Sequence, residues 1–298
     1  MSTSSTGPPA YTDLVTGRGV FGVRRHGTSG PMVVCLHGFP DDASTYDGLA
    51  AAVAATGFRL VAVNLRGYAP SPLDGPLGLD DLVEDLLAVV DALSPDAPVA
   101  LIGHDYGAQL AYPALARAPH LFSAAVLLAG AHPAVLQRNA RRHPRQLWMS
   151  RYIVFFQLGA LADRRVARAD FAYVDALWRR WAAPGFAIPT GHLDQVKRTL
   201  AASMPAPVAM YRGGGFAVAE QQIPVPTLCI SGAKDGCALP ELADGQERLF
   251  TGGYAARVWA DTGHFPHLEQ PGRTAAAVTE WLSAHAARVP PTTSRTTT

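Results

Sequence analysis

Residues 103–108 of this 298-residue chain, Gly103-His104-Asp105-Tyr106-Gly107-Ala108, restrict its fold more than any other stretch. They follow an apolar run, Pro98-Val99-Ala100-Leu101-Ile102, and precede a helix-like Gln109-Leu110-Ala111-Tyr112. A strand, a Gly-x-acid-x-Gly turn and a helix together make a nucleophile elbow. The flanking glycines let the backbone turn sharply and let strand and helix approach closely. The central side chain is pushed out above the sheet edge, near the positive end of the following helix. Serine usually stands there; this chain has Asp105. A carboxylate is already ionised at neutral pH and needs no base before it attacks. It would attack a carbon and leave an ester on the protein.

The rest of the chain supplies the sheet that such a turn requires. Residues 20–25 and 31–36 read as strands, the second continuously apolar over Met32-Val33-Val34-Cys35-Leu36, as for a strand buried on both faces. It runs into His37-Gly38-Phe39-Pro40, after which Asp41 or Asp42 can cap a helix carrying Tyr46, Leu49 and Val53 and closed by Gly57. Residues 58–63 read as a strand, 79–93 as a helix with Leu82, Leu86, Val90 and Leu93 on one face, and 122–128 as a further strand. Alternating strand and helix predicts a parallel sheet covered on both faces.

The alternation breaks at about residue 131. Up to about residue 222 the chain turns helical and rich in Arg, Trp, Tyr and Phe, punctuated by Pro184, Pro189, Pro205 and Pro207. Phe171, Val174, Leu177, Trp178 and Trp181 recur at helical spacing, which predicts core packing. Strand-helix alternation then resumes: strand 227–230, helix 241–250, strand 255–259, helix 273–287. The expected organisation is an α/β core over residues 1–130 and 223–289, a helical cap over 131–222 inserted after the sixth strand, and a disordered Pro/Thr-rich tail over 290–298. A cap over the carboxyl ends of the strands is the natural arrangement, because ligands of open α/β sheets bind there.

Two acid/base candidates follow strands beyond the insertion. Asp235 lies in Ser231-Gly232-Ala233-Lys234-Asp235-Gly236, and His264 in Asp261-Thr262-Gly263-His264-Phe265-Pro266. Taken singly, Asp235 is good turn chemistry and His264 one of ten histidines. Taken together they stand at the strand edge where Asp105 stands, in the order nucleophile, acid, histidine. His264 would take a proton from the water that attacks the Asp105 ester, and Asp235 would fix its tautomer.

With these residues quoted, the chain resembles the α/β-hydrolase superfamily, and within it the soluble epoxide hydrolases, over roughly Tyr11 to Ala287. The marks are His37-Gly38-Phe39-Pro40, Gly103-His104-Asp105-Tyr106-Gly107 and Gly263-His264-Phe265. The resemblance implies an oxyanion hole at the His-Gly-x-Pro turn, often with a cis proline, its donors being the backbone N–H groups of Phe39 and Tyr106. It also implies two cap tyrosines that hydrogen-bond the epoxide oxygen, for which Tyr152 and Tyr211 are the matching residues. Opening an epoxide makes an alkoxide, and a phenol can give it a proton. The activity implied is conversion of an epoxide to a vicinal diol. The alternatives are a haloalkane or haloacid dehalogenase using the same aspartate, and a non-catalytic binding protein on the same fold. Tyr106 weakens the first, since haloalkane dehalogenases typically place Trp there to bind halide. Haloacetate dehalogenases place an Arg after the nucleophile, and Gly107-Ala108-Gln109 offers none.

Composition limits the partners. Net charge is +1 with no acidic or basic block, so no nucleic acid is expected. No run of 18 apolar residues and no apolar leader segment stand in the sequence, so neither a membrane partner nor secretion is expected, and a cytoplasmic location is the default. Cys35, Cys229 and Cys237 have no metal or disulfide spacing, and neither metal nor cofactor is expected. The expected ligands are a small apolar epoxide and water, in a pocket made apolar by the cap's Phe, Trp and Leu. A monomer and a homodimer both stay open, as does the role of Gly213-Gly214-Gly215.

Overall fold

The computed structural model describes residues 9–213 and 219–286. Gly214 and Gly215 and the 290–298 tail lie outside them. Eight strands form one sheet in the order β1-β2-β4-β3-β5-β6-β7-β8. They are β1 (Thr12–Thr16), β2 (Gly19–His26), β3 (Met32–Leu36), β4 (Arg59–Val63), β5 (Val99–His104), β6 (Phe122–Leu128), β7 (Thr227–Gly232) and β8 (Tyr254–Trp259). β2 pairs antiparallel with β1 and β4, and every other pair is parallel. Parallel strands need crossovers, and three of them run through helices on the two faces: α1 (Asp47–Ala54), α2 (Leu79–Leu93) and α3 (Tyr106–Arg117); after β8 the described chain ends in α10 (Pro266–Glu269) and α11 (Pro271–His285).

β3 shows how alternation builds two cores. All five residues are buried, yet Val34 and Leu36 join the cluster beneath α2 and α3, while Val33 and Cys35 join the one beneath α1 and α11. Its register sets Leu36 beside Gly103 of β5. The turns following the two strands, at His37 and Asp105, are therefore neighbours at the carboxyl edge.

Between β6 and β7 the described residues form helices: α4 (Pro133–Ala140), α5 (Pro144–Met149), α6 (Arg151–Phe156), α7 (Ala160–Trp181), α8 (His192–Ser203) and α9 (Ala206–Ala209), then a 3-10 turn, Met210–Arg212. α7 is broken at Arg168–Phe171, where Ala169, Asp170 and Phe171 have φ of 53°, 51° and 56°. The Phe171–Trp181 stripe is buried as its spacing predicts. Trp178 stacks on Phe265 at 3.6 Å, and its indole N–H donates to the Pro40 carbonyl. His192 pairs with Asp41 at 3.2 Å, and the Thr199 hydroxyl donates to Asp42. These contacts seat the helical segment on the loop after β3.

Two sequence expectations are corrected. Residues 241–250 are not a helix but two 3-10 turns, Pro240–Ala243 and Glu247–Leu249, separated by Gly245 at φ +80°. A further strand, β1, precedes the first one expected; only Leu14 of its five residues is buried, so it carries no alternating apolar signal. Asp42, rather than Asp41, caps the turn after β3, accepting from the Ser44 N–H. No described helix is long and apolar enough to cross a membrane.

Candidate active site

Asp105 has φ +50° and ψ −114°, backbone that non-glycine residues rarely adopt. The surrounding chain enforces it. A Cβ on Gly107 would lie 2.2 Å from the Leu36 carbonyl oxygen, and one on Gly103 2.7 Å from the Gly107 oxygen. β3, β5 and α3 thus meet backbone to backbone beneath Asp105.

The two oxygens of Asp105 are differently placed. Oδ1 accepts the Phe39 N–H at 3.0 Å, and the Tyr106 N–H also donates to the carboxylate. Both backbone donors expected from sequence therefore converge on Asp105, with the Phe39–Pro40 bond cis. Oδ2 faces His264 Nε2 at 3.4 Å, within charge attraction but longer than a well-formed hydrogen bond. On the other side of the ring, Nδ1 pairs with Asp235 Oδ2 at 2.8 Å. Asp235 Oδ1 accepts the N–H groups of Cys237 and Ala238 at 2.6 and 2.9 Å, so that carboxylate is held by its own loop. Sequence residues 105, 235 and 264 are one contiguous constellation.

The His264 loop is held as firmly. Glu269 Oε2 accepts the N–H groups of Gly263 and Ala183, and Oε1 that of Phe265. The Trp181 carbonyl accepts the N–H groups of His264 and Gly236. The end of α7 and the residues just after it therefore bind both loops at once.

Burial opposes charge on His264, but Asp235 and Asp105 outweigh it and push its pKa up to about 10. Burial likewise opposes ionisation of Asp105, yet His264 and the Tyr106 N–H bring its carboxyl below the usual carboxylate range. At neutral pH the resting pair is imidazolium and carboxylate. His104, buried beneath, donates its Nε2–H to the His264 carbonyl at 2.8 Å, and burial holds it neutral with a pKa lowered to about 4.

Above Asp105 lies a cavity partly open to solvent. Tyr152 of α6 and Tyr211 of the last turn both line it, with ring centroids 5.8 Å apart and a side-chain hydrogen bond between them. Burial raises both phenols well above their ordinary pKa, with nearby Cys237 and Asp105 adding to it; Tyr152 raises Tyr211 further, whereas the hydrogen bond from Tyr211 works against the rise of Tyr152. Both stay protonated donors across the working range.

The cavity is mainly apolar, as expected, but other side chains than expected make its wall. None of the described Phe or Trp side chains of residues 131–222 lines it; Phe156, Phe171, Trp178 and Trp181 pack in the core, and Trp148 is exposed. Its apolar wall is Leu136, Ile153 and Leu242, and its polar wall includes Gln109, Gln146 and Ser150. The sequence reading also missed Cys237, whose thiol lies 3.7 Å from the Tyr152 hydroxyl. Its place two residues after Asp235 was the available signal. Asp105, Cys237 and His264 bring ligand-type atoms within 4.8 Å of one another, the one such trio among the described residues. Two of the three are the Asp–His pair, whose mutual charge accounts for their proximity.

A family model described as the alpha/beta hydrolase family matches residues 33–277. The chain belongs to the alpha/beta hydrolase family. Within it, the chain is 24% identical over 268 residues to epoxide hydrolase 3 of Xenopus tropicalis, covering 85% of this chain and 71% of that protein. It is 26% identical over 302 residues to epoxide hydrolase A of Mycobacterium tuberculosis, covering 85% and 90%. A crystal structure of the Bacillus megaterium epoxide hydrolase superposes with a TM-score of 0.82 at 22% identity, over 91% of this chain and all of that one. At that identity the structural likeness speaks for the fold. The hydrolase activity rests on the family and on the sequence relatives.

Proposed function

We propose that this hydrolase opens an epoxide to a vicinal diol through an ester on Asp105. The observation that carries the reading is the shared cavity: a carboxylate pinned at Oδ1 by the Phe39 N–H, with two neutral phenols lining the same space. A general hydrolase has no need of paired phenols, whereas an epoxide oxygen needs a proton donor that is uncharged beforehand.

In this reading Asp105 Oδ2 forms a bond to one epoxide carbon while the C–O bond of that carbon breaks. The departing oxygen takes a proton from Tyr152 or Tyr211. Esterification removes the negative charge of Asp105, one of the two that hold His264 protonated, so the imidazole pKa falls, its proton returns the phenolate to the phenol, and Nε2 becomes a base. A water between Nε2 and the ester gives up its proton and attacks the carboxyl carbon. Negative charge gathers on Oδ1, which already lies against the Phe39 N–H and needs no reorganisation. Collapse breaks the Cγ–Oδ2 bond; Oδ2 leaves with the diol and takes the proton from Nε2, the water oxygen stays on the enzyme, and the new carboxyl returns its proton to His264. Residues 131–222 act as the cap that carries the phenols, and Asp235 keeps the imidazole in the tautomer that leaves Nε2 facing Asp105.

The test is diol formation from an epoxide panel by wild type and Asp105→Ala, with halide release from haloalkanes measured in parallel. Diol formation is expected in wild type and, given the loss on removing a nucleophile, down by at least about 10⁴-fold in the variant. Halide release without diol would move the chain to dehalogenation and leave the phenols as cavity wall.

A further inference from the structure

The same short helices that wall the cavity carry an outer face that stays exposed among the described residues. Gln146, Ser150, Tyr152 and Ile153 of α5 and α6 look inward onto the cavity. On the outside, Leu147, Trp148, Val154, Leu158 and Leu161 are 56–72% exposed. These are five of the nine large apolar side chains most exposed among the described residues, gathered within fifteen positions. Scattered apolar exposure is ordinary, but a cluster on one segment marks a contact surface.

Charge indicates what the face contacts. Between residues 138 and 168 the sequence holds eight arginines and a single acid, Asp163, in a chain whose net charge is +1. Asp163 is committed to Arg212, and Arg138 to Glu220. Arg141, Arg142, Arg145, Arg164 and Arg168 are exposed and pair with no acid among the described residues. Arg151 lies over the Trp148 ring at 4.2 Å. On α7, Arg164, Arg165 and Arg168 follow Leu161 at three, four and seven residues, on its own side of the helix. Aliphatic side chains and a tryptophan flanked by arginines form the pattern of a helix that lies in a lipid headgroup region. Pairing this face with itself across a two-fold axis would oppose arginine to arginine, which disfavours a second copy as the occupant.

We propose that the outer face of α5, α6 and the start of α7 binds anionic lipid surfaces, with the cavity mouth beside the bilayer. This differs from the sequence expectation of no membrane partner, which excludes a span and says nothing of a surface contact. It goes beyond the epoxide reading and does not depend on it. An apolar substrate dissolved in lipid would then enter from the bilayer.

The test is co-sedimentation of the full chain with vesicles of phosphatidylcholine alone or mixed equally with phosphatidylglycerol, at low and high ionic strength. Arginine near an anionic surface contributes about 1 kcal/mol each, so at least about tenfold tighter binding to the mixed vesicles at low salt is expected. Binding should fall in high salt and in Trp148→Ser/Val154→Ser, whose exposed positions leave the melting temperature unchanged. A blue shift of tryptophan emission on binding should vanish in Trp148→Phe. Absence of binding to mixed vesicles, or equal binding to both kinds, would overturn the proposal. So would a dimer in solution that Trp148→Ser dissociates, which would make this face an interface between copies.

Discussion

The carboxyl edge of the sheet and the helical segment above it contribute to the same cavity by different means. Asp105, Asp235 and His264 are placed by backbone: strand ends, the positive φ of Asp105, and glycines where an added Cβ would fall within 3 Å of a neighbouring carbonyl oxygen. Tyr152 and Tyr211 are placed by packing, on a six-residue helix and a three-residue turn, with rings wedged against Phe156 and one another. Geometry held by backbone is costly to alter without loss of fold. Geometry held by packing can lose a functional atom and keep its shape.

Gly107→Ala should break the first kind of placement. Its new Cβ would meet the Leu36 carbonyl oxygen at 2.2 Å, so stability should fall by about 3 kcal/mol, the upper end of overpacking, and turnover should fall with it. Thermal melting alongside a diol assay checks this; a variant with wild-type melting and full activity would show that the elbow has slack. Tyr152→Phe/Tyr211→Phe should do the reverse. The melting temperature should hold while turnover drops by about 10²–10⁴-fold, and either single change should cost only about tenfold because the other phenol remains.

Glu269→Gln should give an intermediate, smaller effect. It takes one acceptor oxygen from a carboxylate that caps Gly263, Ala183 and Phe265, and a loss of about 2 kcal/mol is expected with turnover reduced rather than abolished. Loss of all activity at unchanged stability would make Glu269 part of the chemistry instead of a clamp on the His264 loop.

Charge gives the gentlest probe. The pKa of His264 is raised from 6.5 to about 10 by Asp235 and Asp105, with His104 beside it neutral. Its contribution to stability is therefore full below about pH 6.5 and is lost as pH rises through about 10. The melting-temperature gap between wild type and His264→Gln should narrow across that window. A gap that does not change with pH would mean that the imidazole is not held charged by its two aspartates.

The same contrast explains what the sequence discloses. Helix 79–93 and strand 122–128 are found at the predicted bounds, because strong apolar periodicity and clear breakers delimit them. Asp105, Asp235 and His264 are legible because a strand end and a glycine turn are local signals. Leu242 and Leu249 mimic helical spacing, and only the turn at Gly245 shows that no helix joins them. Cys237, Gln109 and Gln146 stay hidden because their membership of the cavity depends on how the inserted helices sit, which no local pattern encodes.

The most direct measurement is the intact mass of His264→Gln after incubation with an epoxide that wild type hydrolyses. In the proposed reading, attack by Asp105 needs no imidazole, but release of the ester does. The account predicts an enzyme heavier by the mass of the whole epoxide, with the addition on the peptide that contains Asp105. An unmodified enzyme that still releases diol, or an addition at any other residue, would contradict it.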